Sequence, residues 1–431
     1  MNFLKQNDTV AIWGCGKRGK EFIEKWGDFI HISHCIDNKI KAGETGLFYG
    51  FKVYNPEILK DSDIKVIVAI EDWENTTDYL TQAGYKILKD YFPYSYLEDD
   101  IALLDMGVFK YLETDTDKQE LIRDIAKGRL ICATYGMCHM NVYKEVFIRT
   151  TKFKEKYLLL DIPPINAYNH KNYNVYHDDS IWQMCDVVLC SVINKMLKLS
   201  EIAPSVEDIK SKLKRDCKIL TITGSAFKGF FPQQAENRNI AYRSDIEGGI
   251  TDYFAWADKN INRMVLQKKT VEEIKETILK DDYYDKEMII KFFHNELSLL
   301  EREERLCDVK IADYIRKLSV TRVTHYSFTH PIPEVMLEIA YRILCVLGLN
   351  ENIEYLKEET FLKMNNNEEI IYPSVLKALN LLNEDNMHRK VIPGYRWKNH
   401  ELTIDEYIEN YIKYNFSEEE TIKRENEYEK Y

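Results

Sequence analysis

Residues 8–26 read DTVAIWGCGKRGKEFIEKW and decide the fold of the N-terminal part of the chain. The run 8–13 is apolar and has the length of a short strand, and KEFIEKW carries apolar residues at helical spacing. Between them stands a Gly-x-Gly-x-x-Gly turn formed by Gly14, Gly16 and Gly19. In such a unit the first glycine allows the tight turn, the second lets a pyrophosphate approach the backbone, and the third lets the helix pack closely on the strand. The stretch therefore predicts a Rossmann-like unit with a nucleotide site at the turn.

The segments that follow extend this unit into a sheet. A second apolar run, HISHCI, ends just before Asp37, which stands 21 residues after Gly16. An acid at this place bonds a ribose hydroxyl in dinucleotide-binding domains. The run 64–70 is long enough only for a buried strand. Because strands that alternate with helices form a parallel sheet, residues 1–97 are predicted to be a Rossmann-like nucleotide-binding domain.

Two interpretations of the glycine turn stay open at this point. In the first, the turn binds NAD(P), a nucleotide-sugar or coenzyme A, with Lys17 and Arg18 as additional phosphate contacts. In the second, it only packs a helix against the sheet and holds no ligand. The domain is about half the size of a full doubly wound fold, so its size does not separate the possible ligands.

The alternation of strands and helices starts again at Arg129. Four strand candidates begin near residues 129, 156, 186 and 217, and they predict a second α/β sheet rather than an extension of the first. From about residue 244 the pattern is helical. The predicted fold class is α/β, with a Rossmann-like domain at 1–97, a helical linker at 98–128, a second α/β domain of SGNH-like plan at 129–349 and a helical extension at 350–431.

A strand-to-helix turn in this second domain carries candidate catalytic residues. The stretch RLICATYGMCHMNVYKEVF, residues 129–147, places Cys138 and His139 between a strand and a helix. The N-terminus of such a helix lowers the pKa of a thiol and offers amides to an oxyanion, so Cys138 is a candidate nucleophile or acyl acceptor. A buried structural cysteine is the alternative. His330 stands before a proline-started helix and is a candidate general base.

A compact group of cations follows another predicted strand. Lys228, Arg238 and Arg243 lie in or near the segment ITGSAFKGFFPQQAENRN. Guanidinium and ammonium groups bind phosphate oxygens, so these residues are candidates for holding the phosphates of coenzyme A. Surface salt bridges are the alternative interpretation of the same three residues.

Composition limits the class of protein further. The chain has 431 residues, a net charge of −12 and 45% hydrophobic residues, which indicates a folded globular protein. The acidic excess argues against non-specific binding to nucleic acid or anionic lipid, and leaves a local basic site open. The nine cysteines include no Cys-x-x-Cys pair, which favours reduced thiols and no structural zinc. With no signal peptide and no apolar run of about 18–20 residues, we expect a soluble cytoplasmic protein without a transmembrane segment.

Residues 129–349 resemble the WcbI-type polysaccharide acetyltransferases in four landmarks that follow the family's order. The family begins with a strand and a Gly-x-Cys-Gln turn, where Gly136–His139 stands here with His139 in place of the glutamine. The later landmarks are a Phe-x-Gly-x-x-Pro segment, a Leu-x-x-Arg-Glu pattern and a late His-Pro, matched or approximated by Phe227–Pro232, Leu299–Glu303 and Thr329–Pro331. The resemblance implies acetyl-coenzyme A as donor and a sugar hydroxyl of a capsule or related surface glycan as acceptor.

The N-terminal 90 or so residues are similar to the small Rossmann domains that accompany enzymes of bacterial surface-glycan assembly. The similarity is carried by the glycine turn, by Ile36–Asn38 and by the Val-x-x-Pro-Glu segment Val53–Glu57. The similarity implies a role in polysaccharide biosynthesis but does not indicate which reaction.

Other functions stay open beside the acetyltransferase. An NAD(P)-dependent oxidoreductase or a nucleotide-sugar-modifying enzyme would use the glycine turn as its active cofactor site. An SGNH-like esterase would use the same order of nucleophile and closing histidine, although Cys138 replaces the usual serine. A non-catalytic protein of a glycan pathway would use its Rossmann module only to sense a nucleotide.

Overall fold

A computed structural model describes most of the chain. The described residues are 4, 8–62, 64–70, 73–97, 101–112, 114–165, 175–191, 205–224, 226–235, 254, 256–362, 368–387, 390–393 and 400–416. They form an α/β fold with two sheets that are largely parallel, which confirms the predicted fold class.

The N-terminal part contains a six-stranded sheet. Its elements are β1 (Thr9–Trp13), α1 (Lys17–Trp26), β2 (His31–Ile36), β3 (Gly46–Phe48), β4 (Phe51–Tyr54), β5 (Lys65–Val68), α2 (Glu74–Gln82) and β6 (Tyr91–Pro93). The strand order is β3-β4-β2-β1-β5-β6, with β1 parallel to both of its neighbours and β3 antiparallel to β4 at one edge. Just before β6, Ile87 makes only an isolated bridge to Tyr91.

The apolar residues of the opening stretch form the core of this sheet. Val10 and Ile12 on β1, Phe22 on α1 and Ile67 on β5 are all completely buried in one cluster. Burying a side chain of this size stabilises the fold by about 1.5–3 kcal/mol. The helical spacing of Phe22 on α1 therefore fixes which face of the helix meets the sheet.

The second sheet contains five strands. The elements of this region are β7 (Leu103–Asp105), α3 (Asp115–Ala126), β8 (Leu130–Tyr135), α4 (His139–Arg149), α5 (Thr151–Lys156), β9 (Tyr157–Asp161), α6 (Asp179–Trp182), β10 (Val187–Ser191), α7 (Val206–Lys212) and β11 (Lys218–Ile222). The strand order is β11-β10-β8-β9-β7, and β9 runs parallel to β7 and β8. Strands β8, β9, β10 and β11 each begin within one residue of the predicted starts.

The segment 98–128, expected to be a helical linker, holds a strand as well as a helix. Helix α3 begins with a capping box in which Thr114 and Asp117 bond each other's backbone N–H groups. Strand β7 precedes it and forms the edge of the second sheet. It has only three residues, too short for a periodic pattern to reveal.

The remaining part is mainly helical, as its sequence pattern indicates. Its elements are β12 (Gln234–Ala235), β13 (Ala257–Asp258), α8 (Lys259–Leu266), α9 (Val271–Ile278), α10 (Lys286–Glu303), α11 (Ala312–Leu318), β14 (His325–Ser327), β15 (His330–Pro331), α12 (Pro333–Val346), α13 (Pro373–Ala378), α14 (Glu384–Met387) and α15 (Ile404–Asn415). Proline at the first position of α12 has no N–H to satisfy and its fixed φ suits a helix start, which explains why the helix begins there. Strands β14 and β15 pair as a short antiparallel hairpin.

The chain forms two compact units, each built from more than one segment. The first comprises residues 1–135, 151–188 and 198–219, and the second comprises residues 136–150, 189–197 and 220–431. Within the residues that the structure describes, no helix combines the length and apolarity that crossing a bilayer requires. The same residues contain no group of three or more side chains arranged to hold a metal ion.

Candidate active site

The turn that leads into α4 is shaped by a glycine with no room for a side chain. A Cβ atom at Gly136 would stand 2.6 Å from Cβ of Ser191 and 3.0 Å from Cγ of Met140. The backbone of the turn therefore approaches the end of β10 closely. Cys138 is the N-cap residue of α4 and is half-buried. The strand–turn–helix arrangement predicted for residues 129–147 is present.

His139 occupies the first position of α4 and is buried. Its Nε2 atom lies 2.8 Å from the hydroxyl oxygen of Ser191, at hydrogen-bond distance. Its ring meets the ring of Tyr143 edge to face, with 5.7 Å between the ring centroids. Burial, and to a smaller extent the charge that His330 would carry, lowers the pKa of His139 to about 4. The imidazole is therefore neutral at pH 7.

His330 lies at the start of β15, in the hairpin that precedes α12. Its Nδ1 atom is 2.8 Å from the hydroxyl oxygen of Ser327 and 3.1 Å from that of Thr329. Among the described residues nothing bonds its Nε2 atom. Burial lowers the pKa of His330 to about 4. The tautomer that donates from Nδ1 to Ser327 leaves Nε2 with a lone pair that can accept a proton.

These side chains come together in the second unit. The electrostatic effect of His330 on the pKa of His139 places the two rings near each other, and Cys138 immediately precedes His139. The arrangement thus combines a thiol at a helix N-terminus with two neutral imidazoles, each held by a serine hydroxyl. Such a group can supply a nucleophile or an oxyanion-binding turn and a general base.

The segment Phe227–Pro232 lies against the same hairpin. The backbone N–H of Phe227 donates to the carbonyl oxygen of Phe328 at 2.7 Å. Gly229 has no room for a side chain, because a Cβ there would stand 2.3 Å from the ring of Phe227 and 2.9 Å from that of Phe293. Close packing of these aromatic rings thus explains why the motif has a glycine at position 229.

Of the three cations predicted to hold the phosphates of coenzyme A, Lys228 is the one that the structure describes. Its Nζ atom stands 4.9 Å from the ring centroid of Phe328, within the hairpin that carries His330. Its charge partly offsets the raised pKa that burial gives Glu296 on α10. Lys228 is therefore close to the hairpin of the candidate base. Arg238 and Arg243 lie outside the described residues.

The Leu299–Glu303 landmark has structural roles in the helix that carries it. It forms the end of α10, where Leu300 is buried and Glu301 forms an ion pair with Arg316. Packing and an ion pair account for Leu300 and Glu301, which stand between Leu299 and Arg302 of the pattern. The landmark is thus not brought into contact with Cys138 or His330 by any described interaction.

The glycine turn of the first unit has the geometry that its motif predicts. Gly14 has φ +120°, and a Cβ there would stand 2.6 Å from the carbonyl oxygen of Ala69. A Cβ at Gly19 would stand 2.0 Å from the carbonyl oxygen of Gly14, so α1 packs directly on the turn. Gly16 is the N-cap of α1 and has open space around the position of a Cβ. The middle glycine is therefore the one that leaves room for a ligand.

The side chain of Asp37 is hydrogen-bonded to the backbone of the glycine turn. Its carboxylate accepts from the backbone N–H of Cys15 at 3.3 Å and from that of Lys39 at 2.9 Å. These bonds hold the loop to the end of β2. Asp37 therefore lies beside the glycine turn, as the motif requires. Both of its carboxylate oxygens accept hydrogen bonds from backbone N–H groups.

Sequence reasoning missed three polar residues beside the site: Ser191, Ser327 and Tyr143. Ser191 ends the strand VVLCS, and a polar residue at the carboxyl end of a parallel strand is a signal for a site. Tyr143 follows His139 by four residues, the spacing that places two side chains on one helix face. The contact between Ser327 and His330 depends on a hairpin too short for its sequence to predict.

Comparisons with known proteins identify the family. Residues 131–352, just over half of the chain, match the family described as "polysaccharide biosynthesis enzyme WcbI". No curated protein matches the chain. A solved structure of WcbI, described as a novel polysaccharide biosynthesis enzyme without a disulfide bond between coenzyme A and a cysteine, has a similar fold. The two chains share 14% sequence identity, with a TM-score of 0.54 over 68% of this chain and 92% of the other.

The family match covers both the turn that holds Cys138 and the hairpin that holds His330. The likeness of fold extends over a larger part of the chain than the family match does. Both findings agree with the resemblance noted in the sequence. The chain belongs to the WcbI family of polysaccharide biosynthesis enzymes.

Proposed function

We propose that this protein transfers an acetyl group from acetyl-coenzyme A to a sugar hydroxyl during the assembly of a surface polysaccharide. The observation that carries the proposal is the grouping of Cys138, His139 and His330, with two neutral imidazoles beside a helix N-terminus. Family membership supports polysaccharide biosynthesis as the setting. The mention of coenzyme A for the WcbI structure supports the class of donor.

The chemistry needs a base, because the acceptor hydroxyl loses a proton as its oxygen attacks the thioester carbonyl. His330 is neutral at pH 7, and its Nε2 atom is available to take that proton. The new carbon–oxygen bond replaces the carbon–sulfur bond, and the coenzyme leaves as a thiol after it receives the proton. Backbone amides at the start of α4 are suited to bind the oxyanion that forms in between.

Cys138 has one of two roles in this scheme. In the first, its sulfur accepts the acetyl group from the coenzyme and passes it to the sugar. In the second, the sugar attacks acetyl-coenzyme A directly, and Cys138 only lies beside the carbonyl. His139 holds the turn through Ser191 in either case. Lys228, with Arg238 and Arg243, is proposed to contact the phosphates of the donor, which would make donor binding salt-dependent.

Variants of the full chain test the proposal and separate the two roles. Turnover of acetyl-coenzyme A is measured as release of free thiol in the presence of sugars and nucleotide-sugars. His330→Ala is expected to lower turnover about 10²–10⁴-fold at pH 7, the usual contribution of a general base. Cys138→Ala abolishes turnover if the cysteine is acetylated, and a quenched reaction then contains an acetyl-Cys138 peptide. If attack is direct, Cys138→Ala keeps measurable turnover.

Two substitutions serve as matched controls. Cys345→Ala removes another half-buried thiol, on α12, and His31→Ala removes an exposed imidazole on β2. Both are expected to keep full turnover. Full turnover in Cys138→Ala and His330→Ala together would show that the active site lies elsewhere. Absence of saturable binding of any acyl-coenzyme A would refute the acetyltransferase itself.

We also propose that the glycine turn binds a nucleotide-bearing molecule, either NAD(P) or a nucleotide-sugar. The open space at Gly16 and the start of α1 support this role, because backbone N–H groups at a helix start bind phosphate. Each carboxylate oxygen of Asp37 accepts one backbone N–H, from Cys15 or Lys39, and has a second lone pair for a ribose hydroxyl. The cofactor would be held by this chain's Gly14, Gly16 and Gly19 backbone.

A further inference from the structure

Tyr143 has a buried hydroxyl that nothing in the described part of the chain satisfies. The side chain is completely buried on α4, and its hydroxyl oxygen has no hydrogen-bond partner there. Buried hydroxyls are almost always bonded, because an unbonded one has lost its water without compensation. Such a group calls for a partner that arrives with a ligand.

The position of this hydroxyl can be derived from the helix. Long side chains on a helix point back toward its N-terminus, over the residues three and four positions earlier. The edge-to-face contact of the Tyr143 ring with the ring of His139 shows this direction. The hydroxyl lies beyond the ring, toward the start of α4. Burial raises the pKa of Tyr143 strongly, and the charge that Cys138 would carry raises it further, so hydroxyl and thiol are near each other.

We propose that the Tyr143 hydroxyl donates a hydrogen bond to the carbonyl oxygen of the acyl group held at Cys138. The inference rests on the proposed function and adds a residue to its site. An acetyl thioester brings one strong acceptor to this place, its carbonyl oxygen, and that oxygen gains negative charge as the sugar attacks. A neutral donor that is already fixed in place stabilises this charge without reorganisation. Free coenzyme A lacks the carbonyl and cannot use the hydroxyl in this way.

The test compares two probes, acetyl-coenzyme A and coenzyme A, on the full-length protein. Tyr143→Phe removes only the hydroxyl. By titration calorimetry it is expected to bind acetyl-coenzyme A about tenfold more weakly and coenzyme A unchanged. Turnover is expected to fall about 10²-fold or more. The melting temperature without ligand is expected to stay the same or to rise, because the removed hydroxyl had no partner.

Tyr407→Phe is the matched control. Tyr407 is also completely buried in the second unit, but its hydroxyl donates to Glu369 Oε2 at 2.9 Å. Its removal is expected to lower the melting temperature and to leave both affinities unchanged. The opposite pattern in the two variants distinguishes a hydroxyl kept for a ligand from one that holds the fold.

The outcomes separate this inference from the function on which it rests. If wild-type protein binds both probes and Tyr143→Phe binds them as tightly, or weakens both equally, the inference is wrong and the acetyltransferase stands. If wild-type protein binds neither probe, the proposed function fails and the inference fails with it. Selective loss of acetyl-coenzyme A supports both.

Discussion

His139 and His330 remain uncharged at neutral pH because burial lowers the pKa of each to about 4. An exposed histidine has a pKa near 6.5 and would be partly protonated under the same conditions. Neutral imidazoles in a site of this kind can accept a proton, and they do not repel each other as two cations would. Low pKa values here thus keep the candidate base ready at pH 7.

The first prediction concerns these two imidazoles. In a histidine NMR titration of the full chain, two ring signals are expected to have midpoints near pH 4, well below the ordinary value. Each should disappear in one of the variants His139→Gln and His330→Gln, which assigns them. Donor turnover is accordingly expected to be constant from pH 7 to pH 5. A midpoint near 6.5 for His330 would show that water reaches its ring freely.

At this scale the sequence indicates the candidate catalytic residues but not the side chains that contact them. Cys138, His139 and His330 are each flagged by a position at the end of a strand or before a helix. Their serine partners are not. Ser191 is distant from His139 in sequence, and Ser327 meets His330 only through a hairpin too short to predict. A contact between residues 52 positions apart, such as that of His139 with Ser191, depends on strand order rather than on local pattern.

Among the elements, the strand-to-helix turns before α1 and before α4 differ in what surrounds them. The turn before α1 has open space at Gly16, whereas the turn before α4 is filled by Ser191 and Met140 around Gly136. Open space allows a phosphate to reach the backbone, while a filled turn fixes the direction of the side chains at the helix start. This difference fits a binding role for the first turn and a chemical role for the second.

A substitution at Gly16 tests the binding role. Gly16→Val is expected to leave the melting temperature close to that of the wild type, since nothing lies within 4 Å of its Cβ and φ is negative. Binding of NAD(P) or a nucleotide-sugar by the full chain should be abolished, because the side chain takes the space of the phosphates. Calorimetry with each of these ligands gives the comparison. Retained binding of acetyl-coenzyme A would show that the second unit is intact, and unchanged nucleotide binding would remove the loop from the site.

Strands were predicted correctly where the apolar run in the sequence is long, and they were missed where the strand has only two or three residues. The strands at 130–135, 157–161, 187–191 and 218–222 begin within a residue of their predicted starts, because each is a long apolar run. Strands β7, β12, β13 and β15 have two or three residues, and such lengths carry no period. The hairpin β14–β15 contributes Ser327 and His330 to the candidate site, but its strands are too short to predict from the sequence.

The second unit contains a buried network of carboxylates and tyrosine hydroxyls. Asp258 caps α8 through the N–H groups of Asn260 and Ile261 and accepts from the Tyr372 hydroxyl at 2.7 Å. Glu369 accepts from the Tyr407 hydroxyl at 2.9 Å, and its other oxygen has no partner among the described residues. Burial raises the pKa of Asp258 to about 6 and that of Glu369 to about 8.

Because the pKa of Glu369 is raised, the free energy of unfolding is expected to decrease as the pH rises. The folded pKa of Glu369 lies above its unfolded value of 4.5, so its contribution is fully present below pH 4.5 and is lost as pH rises through 8. Glu369→Gln stays neutral and avoids the loss. By urea unfolding at pH 8, the variant is expected to exceed the wild type by about 2 kcal/mol or more, with the difference shrinking or reversing at pH 5.

Glu304→Gln is the control for that measurement. Glu304 is also buried, but both of its oxygens accept backbone N–H groups, from Ile311 and Ala312. Its amide variant loses an acceptor and is expected to be less stable than the wild type at both pH values. Stabilisation of Glu369→Gln at pH 5 equal to that at pH 8 would contradict the protonation argument.

The division of the chain into interleaved segments has a consequence for how the protein is made. The first unit needs residues up to 219 and the second needs residues from 136 to the C-terminal part, so neither is a single continuous stretch. On a ribosome, the helix that carries Cys138 emerges long before the hairpin that completes its surroundings, and it must wait for that hairpin. No single cut of the gene would release the second unit as a folding fragment, so engineering of this enzyme has to keep the whole chain.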